Sequence, residues 1–573
     1  MIADPAAGQA SAAQASVALA EAARALSAGK PDLALKALRA APDSAAARQL
    51  RGAALRASGD KSGADAALQS ALQLAPDHIP TLAMLAQLAA ERERPEQALG
   101  WLERLLALQP ANPAFLGSYG GMLRRMDRAA DALPALERAI AIQPDHPGHR
   151  LEQAHALRKL QRLPEARAAF EAVLAGQPDN PNAWTGLAEC LLRLNDSDAA
   201  LQAIAKARAL APRDGQAIGT QGLILAQRGE RAAALDCYRQ AYEAMPGEVA
   251  ARRNYGNALL RGGRTAEAWP LLEHRADRPE SRLPLAQAGL PYWDGGIAPG
   301  LRLLIWAEQG IGDEILQAGY IPELLGAGVD LVLLCSARLE PLFRRAFAGA
   351  EVHALRADTS LAAFKATHQL SICDLAARLR RGGPAPMQSV PYLQADPARR
   401  DLFAARYRAL KARRVIGLSW RSGNPALGDA KSLRLEDLLP ILRLPGLAFV
   451  NLQYGDSSAE IADLQARHGI ALHADAEVDP LRDIDGQAAQ IAALDEVVSI
   501  STAVVHLACA LAVPSRVLLP FEHGLLWYWG ENGDASPWRP GAKLYRPRDA
   551  DDRTKDRAGP IQALAADLQA SLP

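Results

Sequence analysis

From Ala45 to Glu248 the apolar positions of the chain recur on a fixed grid. Small residues stand at Gly52, Ala86, Gly120, Ala154, Ala188, Gly222 and Gly256, and alanines at Ala64, Ala98, Ala132, Ala166, Ala200, Ala234 and Ala268. A bulky apolar residue follows each alanine by one helical turn: Leu68, Leu102, Leu136, Phe170, Ile204, Tyr238 and Leu272. Every set advances by 34 residues, as do Pro42, Pro76, Pro110, Pro144, Pro178, Pro212 and Pro246. An i, i+4 pair shares one helix face, and small residues mark where helix axes come close. Each proline ends a helix, because it lacks an N–H and clashes with the preceding turn. The grid predicts six antiparallel helix pairs between Ala45 and Glu248, with degenerate pairs at both ends. The first (about Ser11 to Ser44) has a shortened second helix and Lys30 in the alanine slot, and the last (Val249 to about Arg278) lacks the proline in register. Atypical end repeats cap an otherwise open core.

A 34-residue period with small residues at these offsets and a closing proline resembles the tetratricopeptide (TPR) repeat. Residues 11–282 are read as such an array. A superhelix of this kind lines a concave groove with the first helices of its repeats, suited to protein segments. By register the groove candidates are His155, Arg158, Asn182, Glu189, Arg253 and Asn257. Each also fits an ordinary solvated polar position.

The grid stops in a Pro- and Gly-punctuated linker, 283–299, and the pattern changes period. Short β-branched and Leu-rich runs now alternate with helical stretches, as in a parallel α/β sheet. Strands are predicted at Leu301–Trp306, Val329–Leu334, Val415–Ser419, Ala448–Leu452, Glu496–Ile500 and Ser515–Leu519. Helices are predicted at Asp313–Leu325, Leu435–Leu442, Ala488–Leu494 and Ala503–Leu511. A break near Met387 to Asp401 divides this half into lobes 300–395 and 396–573, the second ending in a helix. Two doubly wound lobes hold ligands beyond the carboxyl ends of their strands.

Four constellations fall at such ends. Gln309-Gly310-Ile311-Gly312-Asp313-Glu314 opens a helix, where glycines admit close backbone approach and the N-terminus favours an anion. The same residues also make a plain N-cap. Ser419-Trp420-Arg421-Ser422-Gly423-Asn424, followed by Lys431-Ser432, supplies small donors and two cations suited to a diphosphate, or an incidentally charged loop. Ser501-Thr502 is placed to cap a helix carrying His506, either an anion site or a structural histidine. Trp527-Tyr528-Trp529 and Ser536-Pro537-Trp538-Arg539-Pro540 gather three of the nine tryptophans; such rings stack on a sugar or base, or pack between lobe and C-terminal tail.

Composition narrows the partners. Lys plus Arg and Asp plus Glu are 64 each, a balance that argues against nucleic acid. The five cysteines are scattered with no C-x-x-C pair, so neither a zinc site nor a disulfide framework is expected. The first residues show no secretory pattern and no apolar run is long enough to span a bilayer, so a cytosolic chain without a membrane span is expected.

The motifs Gln309–Glu314, Trp420–Ser432, Leu452-Gln453, Asp485–Asp495, Ser501–Ala508 and Ser536–Pro540 occur in the order seen in the heptosyltransferase family (glycosyltransferase family 9). The second half resembles that family's GT-B domain, and the whole chain is similar to bacterial flagellin glycosyltransferases. The resemblance implies a TPR superhelix followed by a two-lobed GT-B-like domain. It implies metal-independent transfer of a sugar from a nucleotide-sugar to Ser or Thr of a protein, such as flagellin, captured by the array. Asp313 then matches the catalytic base, and Lys431 the cation that grips donor phosphates. Gly310, Gly312, Ser419, Arg421, Gln453, Ser501, Thr502 and His506 complete the donor site. Ser501 replaces the family's usual aspartate, and Trp527-Tyr528-Trp529 lacks its usual arginine, so ADP-heptose is not implied as donor. No cofactor is expected. Two other readings stay open: a TPR scaffold that binds a nucleotide or sugar without turnover, and a transferase acting on a lipid-linked glycan with the array as tether.

Overall fold

The computed structural model describes residues 5–272, 289–356, 358–380, 391–424, 427–521, 524–536, 538–547 and 557–572, with side chains from Ser16 onward. It divides into two compact units, Met1–Pro212 and Arg213–Pro573.

The first unit consists of helix pairs on the predicted grid. A short-second-helix pair, Pro5–Ser27 and Pro31–Ala37, leads to Ala45–Ala57 with Lys61–Leu74, Ile79–Glu91 with Pro95–Leu108, and Pro113–Arg125 with Ala129–Ile142. Pro147–Lys159 with Leu163–Gly176 and Pro181–Arg193 with Ser197–Leu210 complete it. The grid alanines from Ala64 to Ala200 are fully buried. Where the small position is glycine, a Cβ would sit 2.6 Å from Leu68 at Gly52 and 2.5 Å from Leu136 at Gly120, so the knob of the second helix fills the space that glycine leaves. The backbone carries a further register that side-chain type conceals. In every pair from Ala45–Ala57 onward one residue between the two helices is left-handed, at 34-residue spacing: Gly59, Glu93, Asp127, Gln161, Asn195, Gly229 and Gly263. Only three of the seven are glycine, the residue that tolerates this conformation without strain.

The second unit begins with two more pairs, Gly215–Gln227 with Arg231–Ala244 and Val249–Arg261 with Thr265–Leu272. The repeat architecture therefore continues through Leu272, but these last helices belong to the compact unit of the α/β half. Leu259, Leu260, Ala268, Trp269 and Leu272 share one apolar core with the sheet residues that follow.

Eleven strands are described: β1 Arg302–Trp306, β2 Asp330–Cys335, β3 Glu351–Ala354, β4 His368–Ser371, β5 Arg414–Ser419, β6 Leu447–Asn451, β7 Leu472–His473, β8 Glu496–Ile500, β9 Ser515–Leu518, β10 Ala535–Ser536 and β11 Arg539–Tyr545. They form a parallel sheet, β3-β2-β1-β4, and a larger one, β10-β11-β9-β8-β5-β6-β7, antiparallel only at β10–β11. All six predicted strands are present. The helix expected at Asp313–Leu325 is two, Ile311–Ala318 and Ile321–Gly326, interrupted before Pro322. That expected at Leu435–Leu442 changes from a tighter turn, Leu435–Leu438, to Leu439–Leu442 at Pro440.

Of the linker, 283–288 lies outside the described residues, but its end is structured. Tyr292 bridges to Gln369 of β4, and buried Trp293 donates its indole N–H to the Gly296 carbonyl at 2.7 Å. Of the second break, 387–390 lies outside the described residues. Tyr392 and Leu393 both donate their amides to the Ala510 carbonyl at 3.1 Å, and Asp396 caps the helix Pro397–Arg408.

Candidate functional site

Strand β1 delivers the chain to Gln309, which is left-handed, and Gly310, which is extended and opens the helix Ile311–Ala318. Strand β8 delivers it to Thr502 and the helix Ala503–Ala510. These two helix starts meet. A Cβ on Gly312 would stand 3.2 Å from Cδ2 of His506 and 3.6 Å from Cα of Ala503, so glycine permits the contact. Two positive helix ends thus converge, and each favours an anion.

Asp313 lies half-buried in the first turn of its helix. Its carboxylate acts on Lys431, which sits at the end of a short turn, Gly428–Lys431, in the second lobe. Lys431 is only 5% exposed, and its ammonium makes no hydrogen bond or ion pair among the described residues. Burial draws its pKa down and the Asp313 charge opposes that shift. The neighbouring Glu314 turns inward instead. Its carboxylate accepts from the Ser336 amide at 2.9 Å, and burial pushes its pKa up to about 7.

His506 is buried with both ring nitrogens engaged. Arg539 Nε donates to Nδ1 at 2.9 Å, and Nε2 lies 3.2 Å from the Tyr528 hydroxyl. Arginine only donates, so Nδ1 accepts and the ring proton sits on Nε2, facing Tyr528. Burial, with the charges of Arg539 and Lys431, holds the His506 pKa well below its usual value. The ring also stacks on Trp529 at 5.6 Å. Arg539, 1% exposed, donates to the Tyr392 hydroxyl at 2.8 Å, and Tyr392 donates to the Ile315 carbonyl at 2.6 Å. A buried hydrogen-bond chain therefore joins the two converging helices.

The remaining candidates are used within the protein. The Gln453 amide clamps the β5 loop: its oxygen accepts from the amides of Trp420 (2.9 Å) and Arg421 (2.8 Å) and from Ser419 Oγ (3.4 Å). Its nitrogen donates to the carbonyls of Arg421 and Tyr454. Arg421 reaches the Asp456 carbonyl (2.8 Å) and Glu460 (3.2 Å). Ser501 accepts from the Trp529 indole at 2.8 Å. Thr502 stands at the N-cap position, yet its hydroxyl makes no capping bond and lies instead 3.2 Å from Ser499 Oγ at the end of β8. Gln453, Ser501 and His506 support the site rather than present free polar atoms to it. Asp313, Gly312, Lys431 and the Thr502–Ala503 helix start are what the fold brings together.

The aromatic segment joins two parts of this unit. Trp527 and Trp538 pack edge-on against Trp269 of the last repeat helix at 5.6 and 6.0 Å, while Tyr528 and Trp529 pack on His506. Pro537 lies outside the described residues. Arg231 donates to Asn532 at 3.1 Å and Arg261 lies 3.8 Å from Glu531. Arg539, Tyr392 and Trp269 had no periodic signal in the sequence, because their partners are distant in the chain.

In the first unit, Arg158 pairs with Glu189, and His155 packs edge-on against Phe170 at 5.0 Å. Burial, with Arg158 and Arg124, draws the His155 pKa down to about 3. Asn182 is exposed. Arg253 is exposed and Asn257 half-buried on a helix of the second unit. Arg56–Glu91 and Arg124–Glu152 repeat the helix-to-helix pairing of Arg158–Glu189.

The tetratricopeptide repeat model matches residues 83–147, 151–215 and 220–279, and the chain carries these repeats. Protein FlbA of Caulobacter vibrioides (strain ATCC 19089 / CIP 103742 / CB 15) is 32% identical over 357 residues, which is 59% of this chain and 59% of FlbA. Among solved structures, a tetratricopeptide repeat protein from Parabacteroides merdae ATCC 43184 is 17% identical, with 43% of this chain and 99% of that chain covered and a TM-score of 0.37. PilW, a widely conserved type IV pilus biogenesis factor, is 18% identical over 36% of this chain and 96% of its own, with a TM-score of 0.33. The five cysteines are free and buried. Among the described residues, no helix is long and apolar enough to cross a membrane, and no cluster of three or more His, Cys, Asp or Glu is arranged to hold a metal.

Proposed function

We propose that the protein transfers a sugar from a nucleotide-sugar to a Ser or Thr hydroxyl of an acceptor protein held by the repeat array, in the cytosol. Lys431 carries this reading. The Lys431 side chain is only 5% exposed, which strips its ammonium of much of its hydration without giving it a hydrogen-bond partner among the described residues. Its charge lies where Asp313 and His506 feel it, beside two convergent helix starts. A nucleoside diphosphate supplies the missing counter-charge. In the transfer step the hydroxyl oxygen bonds to the anomeric carbon as that carbon's bond to the phosphate oxygen breaks. The hydroxyl proton passes to Asp313, and the electron pair leaves with the nucleotide. Lys431 and the helix starts stabilise the charge on the departing phosphates. The resemblance to flagellin glycosyltransferases makes flagellin the first acceptor to try.

The test is incubation of the full chain with purified flagellin and a panel of nucleotide-sugars, read by peptide mass spectrometry. One added sugar on Ser or Thr is expected. Binding without nucleotide release returns the non-catalytic scaffold, and transfer confined to a lipid-linked glycan reduces the array to a tether.

A further inference from the structure

We infer that Arg557 is the residue that positions Lys431, acting through the backbone of the turn that carries it; this rests on the reading of Lys431 as a phosphate contact. Arg557 is 6% exposed and stands just before the C-terminal helix Ala558–Ala570. Its Nη1 donates to the Lys431 carbonyl at 2.6 Å, and its Nη2 to the carbonyl of Ala430. No carboxylate pairs with it among the described residues.

The last carbonyls of any helical turn lack partners within it. In Gly428–Lys431 the Gly428 carbonyl is taken by Ser432, through its amide at 2.8 Å and its hydroxyl at 2.7 Å. The carbonyls of Ala430 and Lys431 go to the fork of Arg557. A guanidinium is suited to this, because two parallel donors fix an angle as well as a distance. From the other side Gly524, left-handed, packs against the turn, and a Cβ there would stand 3.2 Å from Lys431 Cγ. The anchor behind Arg557 is firm. Asp567 of its helix pairs with Arg516 of β9, and Arg516 donates to Glu496 of β8 at 2.6 Å.

A neutral donor would satisfy two carbonyls without burying a second cation beside Lys431. The two cations make no direct ion pair among the described residues and feel only more distant carboxylates, Asp313 at Lys431 and Asp437 at Arg557, an arrangement better tolerated where an anion completes the set. Burial draws the Arg557 pKa down to about 10 despite the opposing charge of Asp437, which marks the cost of holding that charge there. The side chain touches neither substrate nor reacting atoms in this arrangement, so its role is positioning.

The test uses the full chain with inorganic pyrophosphate and with UDP, GDP and ADP as probes. Binding is measured by calorimetry on wild type, Arg557→Gln, Arg557→Lys, Lys431→Met and the double variant Arg557→Gln/Lys431→Met. Arg557→Gln should weaken the bound probe roughly tenfold or more, the scale of one charge-assisted contact. In the Lys431→Met background the same change should cost little, because its effect runs through Lys431. Arg557→Lys, which keeps charge and a donor, should recover part of the loss. A melting temperature recorded with each titration separates folding from binding. Unchanged affinity in folded Arg557→Gln, or a full tenfold loss added to that of Lys431→Met, overturns the positioning role while leaving Lys431 in the site. Absence of binding by wild type to every probe overturns both readings.

Discussion

Arg539 gives its Nε hydrogen to Nδ1 of His506 at 2.9 Å, and this contact decides which tautomer the buried imidazole holds. Burial suppresses protonation of the ring, and the charges of Arg539 and Lys431 suppress it further. Folding therefore contributes stability above the ordinary histidine pKa of 6.5, and that contribution is lost as pH falls below it. In Arg539→Met the ring keeps its burial but loses the cation and the donor. Its pKa should rise, and its proton should redistribute between the nitrogens. Histidine-selective carbon NMR on the labelled chain measures this, and identical titration curves for wild type and variant would remove Arg539 from that role.

Glu314 sets the opposite slope. Its folded pKa, about 7, lies above the ordinary 4.5, so the folded state holds a proton that the unfolded chain releases between those values. Stability from this group is complete below pH 4.5 and declines until about pH 7, by about 3 kcal/mol in all. Glu314→Gln should remove that decline and be the more stable protein at pH 8, while near pH 4.5 the two unfold alike. Parallel urea titrations across this range test it, and a constant difference at all pH values contradicts the burial argument.

The left-handed residue between paired helices offers a third test. Gln161, at φ 61°, occupies a conformation that costs a side-chain-bearing residue roughly 1–2 kcal/mol. Gln161→Gly should raise the thermal midpoint of the array by relieving about 1 kcal/mol, the net after glycine's greater entropy loss. Gly59→Gln, at φ 90°, should lower it. Calorimetry showing both changes to be neutral would mean that the turn adjusts freely.

These three sites show what the sequence could and could not reveal. The helix pairs were legible because one period repeats, and the strands β1, β2, β5, β6, β8 and β9 because each is a continuous apolar run. Strand β11 was hidden by Pro540 and Gly541, residues that argue against a strand interior. Strands β3 and β4 are four residues each and carry His353 and His368. The meeting of Gly312 with His506 joins two helix starts far apart in the chain, and no local pattern encodes that contact. Trp527-Tyr528-Trp529 was legible as an aromatic cluster, but its target, Trp269, lies in the repeat half.

Asp313 supplies the functional test. If it accepts the hydroxyl proton, Asp313→Asn should reduce acceptor glycosylation roughly 10²–10⁴-fold, the usual contribution of a positioned base. Melting temperature should hold, because the N-cap of this helix is Gly310 and no side chain caps it, and pyrophosphate should bind at least as well, because a negative charge near Lys431 is removed. Rates per folded molecule, with acceptor and donor at saturation, make the comparison. Normal turnover in this variant would remove Asp313 from the role of base.

Trp269 bears on how the repeat array can be exchanged. Its ring is part of the α/β core, so a chimera that replaces every repeat would strip the cover from Trp527 and Trp538 and send the graft toward aggregation. Exchange upstream of Arg213 leaves that seam intact. New protein partners of the array should therefore be reachable by lengthening, shortening or substituting it before Pro212, with the last two helix pairs inherited as a fixed adaptor.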